Sequence, residues 1–338
     1  MSRAASRLAK RLCAILAASL FGLAAAASAP LVCQGTDLVG KMRDEDPAAF
    51  ARFEAAGRKT RDAEGLLWRI ERDGAAPSHL FGTIHLSDER LKPLAAPVTA
   101  ALASANLVLI EPREIADPQA AAMAREIAGR RAVRPGGNAL FQVRAGDRLA
   151  VINLLAARGV PEGAAQKLEP WFLAMLATAP SCGIARIDEG MLNVDQLVVE
   201  AARAKGIRVE GLEDVDEQMA TLASVPEELA VRVLVDAARL GPGFADWVET
   251  MVNLYRDRRM GFLAAAVRDA DLGGPRMRTQ YDYLEALLGE RNARMHARSR
   301  SAFAAGGAFM AVGALHLAGD DGLVERLRRD GYRVTRVW

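Results

Sequence analysis

Leu80-Phe81-Gly82-Thr83-Ile84-His85-Leu86 and Ala311-Val312-Gly313-Ala314-Leu315-His316-Leu317 decide how this chain reads. Each is an apolar run of strand character that enters Gly-x-x-His-Leu and is followed by acids: Asp88 and Glu89 in the first copy, Asp320 and Asp321 in the second. Each then continues into a helical pattern and a second strand-like run, residues 91–104 and 107–110 in the first copy, 321–329 and 332–337 in the second. The chain has four histidines in 338 residues. At its glycine content a given histidine has about a one in twelve chance of a glycine three places before it, so two such motifs in matching context are a signal.

Working outward, residues 66–70 and 79–84 read as short strands around a turn at Asp73-Gly74. Residues 115–180 are mostly helical, with breaks at Arg134-Pro135-Gly136-Gly137, at Gly159-Val160-Pro161 and at Glu169-Pro170. Residues 195–205 form a helix that Gly206 ends, 207–212 a strand, 225–292 a helical stretch, and 308–314 the strand of the second motif. Strands alternating with helices predict an α/β fold with a substantially parallel sheet, right-handed crossovers and helical insertions. No linker rich in Pro, Gly or Ser divides it, so residues 30–338 read as a single domain.

Hydrophobic residues make up 51% and charged residues 25% of the chain, an ordinary globular balance that can bury a core. The net charge is +2, but Arg3, Arg7, Lys10 and Arg11 lie within the first 29 residues, which hold no acid. The remaining body is slightly acidic and has no electrostatic basis for holding nucleic acid. Basic residues up to Arg11, an apolar run over 12–27 and small residues over 25–29 have the order of a secretory signal peptide. Residues 1–29 are therefore expected to be removed, leaving a periplasmic or secreted chain, with no membrane span, that starts near Ser28 or Pro30. Cys13 would leave with the signal, and an even pair, Cys33 and Cys182, is expected to form a disulfide in an oxidising compartment.

Ligands of open parallel sheets bind beyond the carboxyl ends of the strands. The residues at those ends are His85, Glu111, Glu213 and His316. Two imidazoles and two carboxylates suit a divalent ion such as Zn, Mn or Co, which would make a bound water more acidic. There is no His-Glu-x-x-His, Cys-x-x-Cys pair, Gly-x-Ser-x-Gly or Walker loop, so those well-marked chemistries have no support.

These residues resemble the TraB/GumN family, also called the TraB/PrgY/GumN group, whose distant relatives include the Tiki metalloproteases. The resemblance runs through Leu67-Trp68-Arg69-Ile70, Gly82-Thr83-Ile84-His85, residues 107–111, Glu169-Pro170-Trp171, Asp195, Gly211-Leu212-Glu213, Gln218, Glu290-Arg291-Asn292, Gly313 to Gly319 and Gly331-Tyr332. It implies an α/β fold of two pseudo-symmetric halves, each supplying one Gly-x-x-His, and for the Tiki-like relatives a metal-dependent peptidase. Carried over by position, His85, Glu111, Glu213 and His316 form the centre, and Arg291 and Asn292 lie beside it, suited to an oxyanion or a substrate carboxylate. The family usually places an Asp two residues after the strand-end Glu; here Pro112 is followed by Arg113.

The leading expectation is an exported metal-dependent hydrolase of peptide or amide bonds, with the histidines and one Glu holding the ion and another Glu as general base. Two alternatives stand beside it. One is a metal-independent, esterase-like hydrolase using His and Glu directly; the other is a periplasmic binding or signalling module without chemistry.

Overall fold

Apolar runs unbroken by polar alternation belong in strands covered on both faces, and two such runs, residues 107–110 and 308–312, become neighbouring inner strands of one sheet. The computed structural model describes residues 35–116, 118–180, 191–268 and 274–338. Its strands are β1 (Leu67–Glu71), β2 (Ser78–Thr83), β3 (Leu107–Pro112), β4 (Arg208–Glu213), β5 (Ala308–Gly313) and β6 (Arg333–Arg336). They lie in the order β4-β3-β5-β2-β1-β6. The first four are parallel neighbours, whereas β1 runs antiparallel to both β2 and β6. A mostly parallel six-stranded sheet within a mixed α/β fold is the class that the alternating pattern predicts.

Two helices precede the sheet, α1 (Leu38–Glu45) and α2 (Pro47–Gly57); α3 (Ala96–Ala103) joins β2 to β3. Between β3 and β4 lie α4 (Pro118–Ala132), α5 (Ala145–Ala157), α6 (Glu162–Ala165), α7 (Pro170–Thr178) and α8 (Val194–Ala204). Between β4 and β5 lie α9 (Val215–Ala223), α10 (Glu227–Leu240), α11 (Gly243–Arg256), α12 (Leu263–Arg268) and the long α13 (Gly274–Ala305), and α14 (Leu323–Arg329) joins β5 to β6.

The period of two sorts the strand residues between two layers. Phe81, Val108, Ile110, Phe309 and Ala311 face a core shared with α1, α2, α3, α8 and α11. Leu80, Leu109, Met310 and Val312 face the other core, with Met295 and Phe303 of α13 and Leu323, Val324 and Leu327 of α14. The helices that follow the two Gly-x-x-His motifs therefore cover opposite faces of the sheet. The insertion between β3 and β4 packs α5 and α7 against α10 around a core of its own, including Val151, Leu155, Leu173 and Leu234. Gln280 of α13 ties α10 to the body by donating to the Val233 carbonyl at 3.0 Å.

Three sequence expectations need correction, the third being Glu213, expected just past its strand and found as the last residue of β4. The helix read over 91–104 begins only at Ala96, after a single 3-10 turn at Glu89–Leu91. Pro93 and Pro97 supply no N–H, and proline is tolerated only in a first helical turn, which is where Pro97 sits. Glu111, expected just past its strand, lies inside β3. The signal segment, Cys33 and Cys182 lie outside the described residues. Among the described residues no helix is long and apolar enough to cross a membrane.

Candidate functional site

Short caps fix where the strands deliver their polar residues. β4 ends at Glu213, and Asp214 immediately caps α9: its side chain accepts the Glu217 N–H while the Glu217 side chain accepts the Asp214 N–H. Asn193 and Gln196 form the same reciprocal box at the start of α8. Each box satisfies two helix-end donors and holds the entry angle of its helix. The first pins Glu213 at the sheet edge of the site. The second brings Asp195, in the first turn of α8, to the end of β2.

Glu111 is the hub. Its Oε1 accepts the Gly313 backbone N–H at 2.5 Å and its Oε2 accepts Arg291 Nη2 at 2.8 Å. His85 Nε2 lies 3.4 Å from Oε2 and His316 Nε2 3.6 Å from Oε1. The two histidines of the repeated motif thus meet on one carboxylate, because β2 and β5 are neighbours in the sheet. Burial alone would raise the Glu111 carboxyl, but His85, His316 and Arg291 outweigh it and hold the group well below the usual carboxylate range.

The two imidazoles are anchored differently. His85 Nδ1 meets Asp195 Oδ2 at 2.7 Å, and Asp195 Oδ1 accepts the Thr83 hydroxyl at 2.6 Å. Asp195 is fully buried and Thr83 with it, whereas the His85 ring is half exposed. The Asp195 charge, helped by Glu111 against burial, holds the His85 imidazole well above the usual histidine value. His316 Nδ1 meets Asn292 Oδ1 at 2.6 Å, and Asn292 Nδ2 donates to the Asp321 carbonyl at 3.0 Å. A carbonyl only accepts, so the amide orientation is fixed and His316 Nδ1 must be the donor. Burial, with the nearby Arg291 and His85 charges, pushes His316 down to about 4 against the pull of Glu111 and Glu213. Its Nε2 then presents a lone pair to Glu111.

Glu213 is engaged on both oxygens. Oε1 accepts Gln218 Nε2 and Arg291 Nε, each at 2.9 Å, and Oε2 accepts Arg294 at 3.3 Å. Arg291 therefore bridges Glu111 and Glu213, and the pull of these two carboxylates outweighs burial and raises its pKa. Arg113, where the family pattern has an acid, lies on the surface beside Glu114 and Asp214, outside this cluster.

The two motif glycines do different work. A Cβ on Gly313 would sit 3.2 Å from Glu111 Oε1, 3.6 Å from His316 Cδ2 and 3.7 Å from His85 Nε2. Its absence opens the space in which the three side chains meet. A Cβ on Gly82 would lie 3.0 Å from Ala314 and from Leu317 Cδ2, so this glycine lets the turn of the second motif cross the first. Tyr255 fastens the same point by donating to the Gly82 carbonyl at 2.9 Å.

Of the residues singled out from the sequence, His85, Glu111, Glu213, His316, Arg291 and Asn292 are gathered here. The residues that the sequence reading left out of the site are Thr83, Asp195, Gln218 and Arg294. The signal available for Asp195 was its position in the first turn of a helix leading to a strand of the same sheet.

A polar cluster at the carboxyl ends of parallel strands is the expected placement for the site of an open α/β protein. The chain belongs to the TraB/PrgY/gumN family, whose model matches residues 66–336. No curated protein and no solved structure matches it.

Proposed function

We propose that this protein is an exported metal-dependent hydrolase of peptide or other amide bonds. The observation that carries the reading is the approach of His316 Nε2 to the Glu111 carboxylate, 3.6 Å apart, while His316 Nδ1 is committed to Asn292. His85 Nε2 approaches the same carboxylate at 3.4 Å. Two ligands bound at about 2.0 to 2.1 Å in tetrahedral geometry stand roughly 3.4 Å apart, so the donor set suits a cation. Both imidazoles also have Nδ1 tied to an oxygen, the outer contact that orients metal-bound histidines. Among the described residues no three of His, Cys, Asp or Glu enclose an ion as they stand. Arg291 already occupies one lone pair of Glu111.

His85, His316 and Glu111 would hold the ion, with Zn, Mn and Co all compatible with this nitrogen and oxygen set. When bound, such an ion supplies Lewis-acid polarisation and a more acidic water. Glu213, with both oxygens taken, holds Arg291 in place. The Arg291 guanidinium is the group positioned to receive negative charge developing on a carbonyl oxygen. Asp195 and Asn292 fix which nitrogen of each imidazole faces the site. The two motifs, with their helices on opposite faces of the sheet, fit two pseudo-symmetric halves whose first strands, β2 and β5, lie side by side at the centre.

A second reading has its own support: the half-exposed His85, with a buried carboxylate on Nδ1 and its pKa raised, is arranged as an Asp-supported proton donor, which would serve ester hydrolysis without an ion. Untagged full-length protein, stripped with chelator and reconstituted with Zn, Mn or Co, separates the two. The metal reading expects one ion per chain, lost in His85→Ala and His316→Ala, together with turnover of a peptide library. Turnover by ion-free protein supports the second reading, and stoichiometric failure to bind any of the three ions overturns the first.

A further inference from the structure

Behind His316 lies a cavity of about 330 Å³ that the chemistry above does not use. Met260, Leu263, Leu284, Leu288 and Leu315 make its walls apolar, and Asn292 forms part of them. That asparagine is the residue whose Oδ1 accepts His316 Nδ1 and whose Nδ2 donates to the Asp321 carbonyl, and Asp321 also lines the cavity. One wall of the cavity is therefore the hydrogen-bond pair that sets the His316 ring. The volume falls within the range of small-molecule sites, which are mostly apolar concavities with a few placed polar groups. The space at Gly289 is open: a Cβ there would meet nothing within 4 Å. A second cavity of about 200 Å³ shares Leu263, Tyr281 and Leu284 with the first. It is lined by Tyr283, a buried residue whose hydroxyl has no hydrogen-bond partner among the described residues.

We propose that the cavity behind His316 binds an uncharged apolar group of the size of an aromatic or branched aliphatic side chain, and that its occupancy is coupled to His316 through Asn292. The apolar walls favour an uncharged ligand; Asp320 and Asp321, which also line the cavity, are paired with Arg61 and with Arg326 and Arg329. An apolar group filling the space packs against the wall that contains Asn292, the residue that holds His316 Nδ1 with Nε2 toward Glu111. The proposal concerns a part of the protein distinct from the ion site and stands whether or not an ion binds.

The test uses full-length protein kept in chelator, titrated with indole and followed through the ¹⁵N signals of labelled histidine. Indole is expected to bind at millimolar concentration or below and to shift the His316 ring signals. Gly289→Leu, which sets a bulky side chain at a lining position of the cavity on a helix where leucine is favoured over glycine, is expected to weaken binding by at least about tenfold. Asn292→Ala is expected to retain indole binding within about threefold while His316 no longer responds. Binding that is absent from the wild type, or undiminished in Gly289→Leu, overturns the site. Binding that leaves the His316 signals unmoved overturns the coupling. N-acetyl-leucinamide competing with indole where N-acetyl-alaninamide does not marks a substrate side chain as the occupant; indole bound with both amides excluded marks a separate small molecule.

Discussion

Glu111 and Gly313, 202 positions apart, are joined by a 2.5 Å hydrogen bond from the Gly313 N–H to the Glu111 carboxylate. This contact ties the first half of the chain to the second at the point where both motif histidines arrive. It also explains why a glycine stands at 313. In Gly313→Ala the methyl would reach 3.2 Å from Glu111 Oε1, tighter than ordinary van der Waals contact. The expected outcome is a cost of about 1 to 3 kcal/mol together with loss of ion binding. Gly82→Ala, whose methyl meets Ala314 and Leu317 instead, is expected to cost stability alone. Urea unfolding and metal analysis of the two variants check this, and equal effects of both on ion binding would refute the division of roles.

Arg291 holds Glu111 and Glu213 together, and both acids are buried. Arg291→Met leaves two buried carboxylates short of their cation and is expected to destabilise the ion-free protein by roughly 3 to 5 kcal/mol. A divalent ion at Glu111 replaces part of that charge, so Zn should raise the melting temperature more in the variant than in the wild type. Thermal melts in chelator and in Zn measure both effects. An ion-free variant as stable as the wild type would show that the bridge is energetically idle.

Titration of the ion-free protein should carry opposite slopes from the two histidines. His316 lies at about 4 when folded against 6.5 ordinarily, so the unfolded chain takes the proton first as pH falls. Its contribution is present above about pH 6.5 and is lost as pH falls toward 4. His85 is raised, so its contribution is present below about 6.5 and is lost as pH rises through its folded value. Unfolding free energies measured in chelator across pH 4 to 8 should therefore show a shallower acid-side slope in His316→Gln than in the wild type. Identical slopes would mean that His316 is not held neutral.

Intact mass of protein exported by its own N-terminus should correspond to a chain starting near Ser28 or Pro30. It should rise by two hydrogens on reduction of a Cys33–Cys182 bridge. On the chain-entropy model a loop of about 150 residues contributes on the order of 4 to 5 kcal/mol. Two thiols that alkylate without reduction would exclude the bridge, and an unprocessed N-terminus would exclude the signal.

Much of the site was legible because its carriers sit at strand ends, and strand ends follow from local pattern. Leu107-Val108-Leu109-Ile110 is apolar without alternation, which locates β3 and so Glu111; residues 207–212, which alternate apolar and polar after the helix-ending Gly206, locate β4 and so Glu213. Helical composition conceals the effect of proline: Ala-rich residues 91–104 suggest one helix, but Pro93 and Pro97 delay it to Ala96. Asp195 can be placed on a helix but not against His85, since nothing local to residue 195 records that α8 begins beside the end of β2. Arg113 gave the reverse difficulty. It departs from the family pattern next to Glu111, yet its side chain pairs with Glu114 and Asp214 outside the cluster.

By itself, then, the sequence determined the strands, the alternation with helices and the two Gly-x-x-His motifs at strand ends, because backbone geometry imposes periods of 2 and 3.6 that neighbouring residues alone reveal. Tertiary structure alone decided that β5 lies between β2 and β3, that the helices after the two motifs cover opposite faces, and that both imidazoles meet on Glu111. It also decided that Glu213 is committed to Gln218, Arg291 and Arg294. Those choices are made among groups up to more than 200 positions apart, where the partner of a buried charge is selected by which arrangement leaves the fewest polar groups unpaired, and no local pattern carries that information.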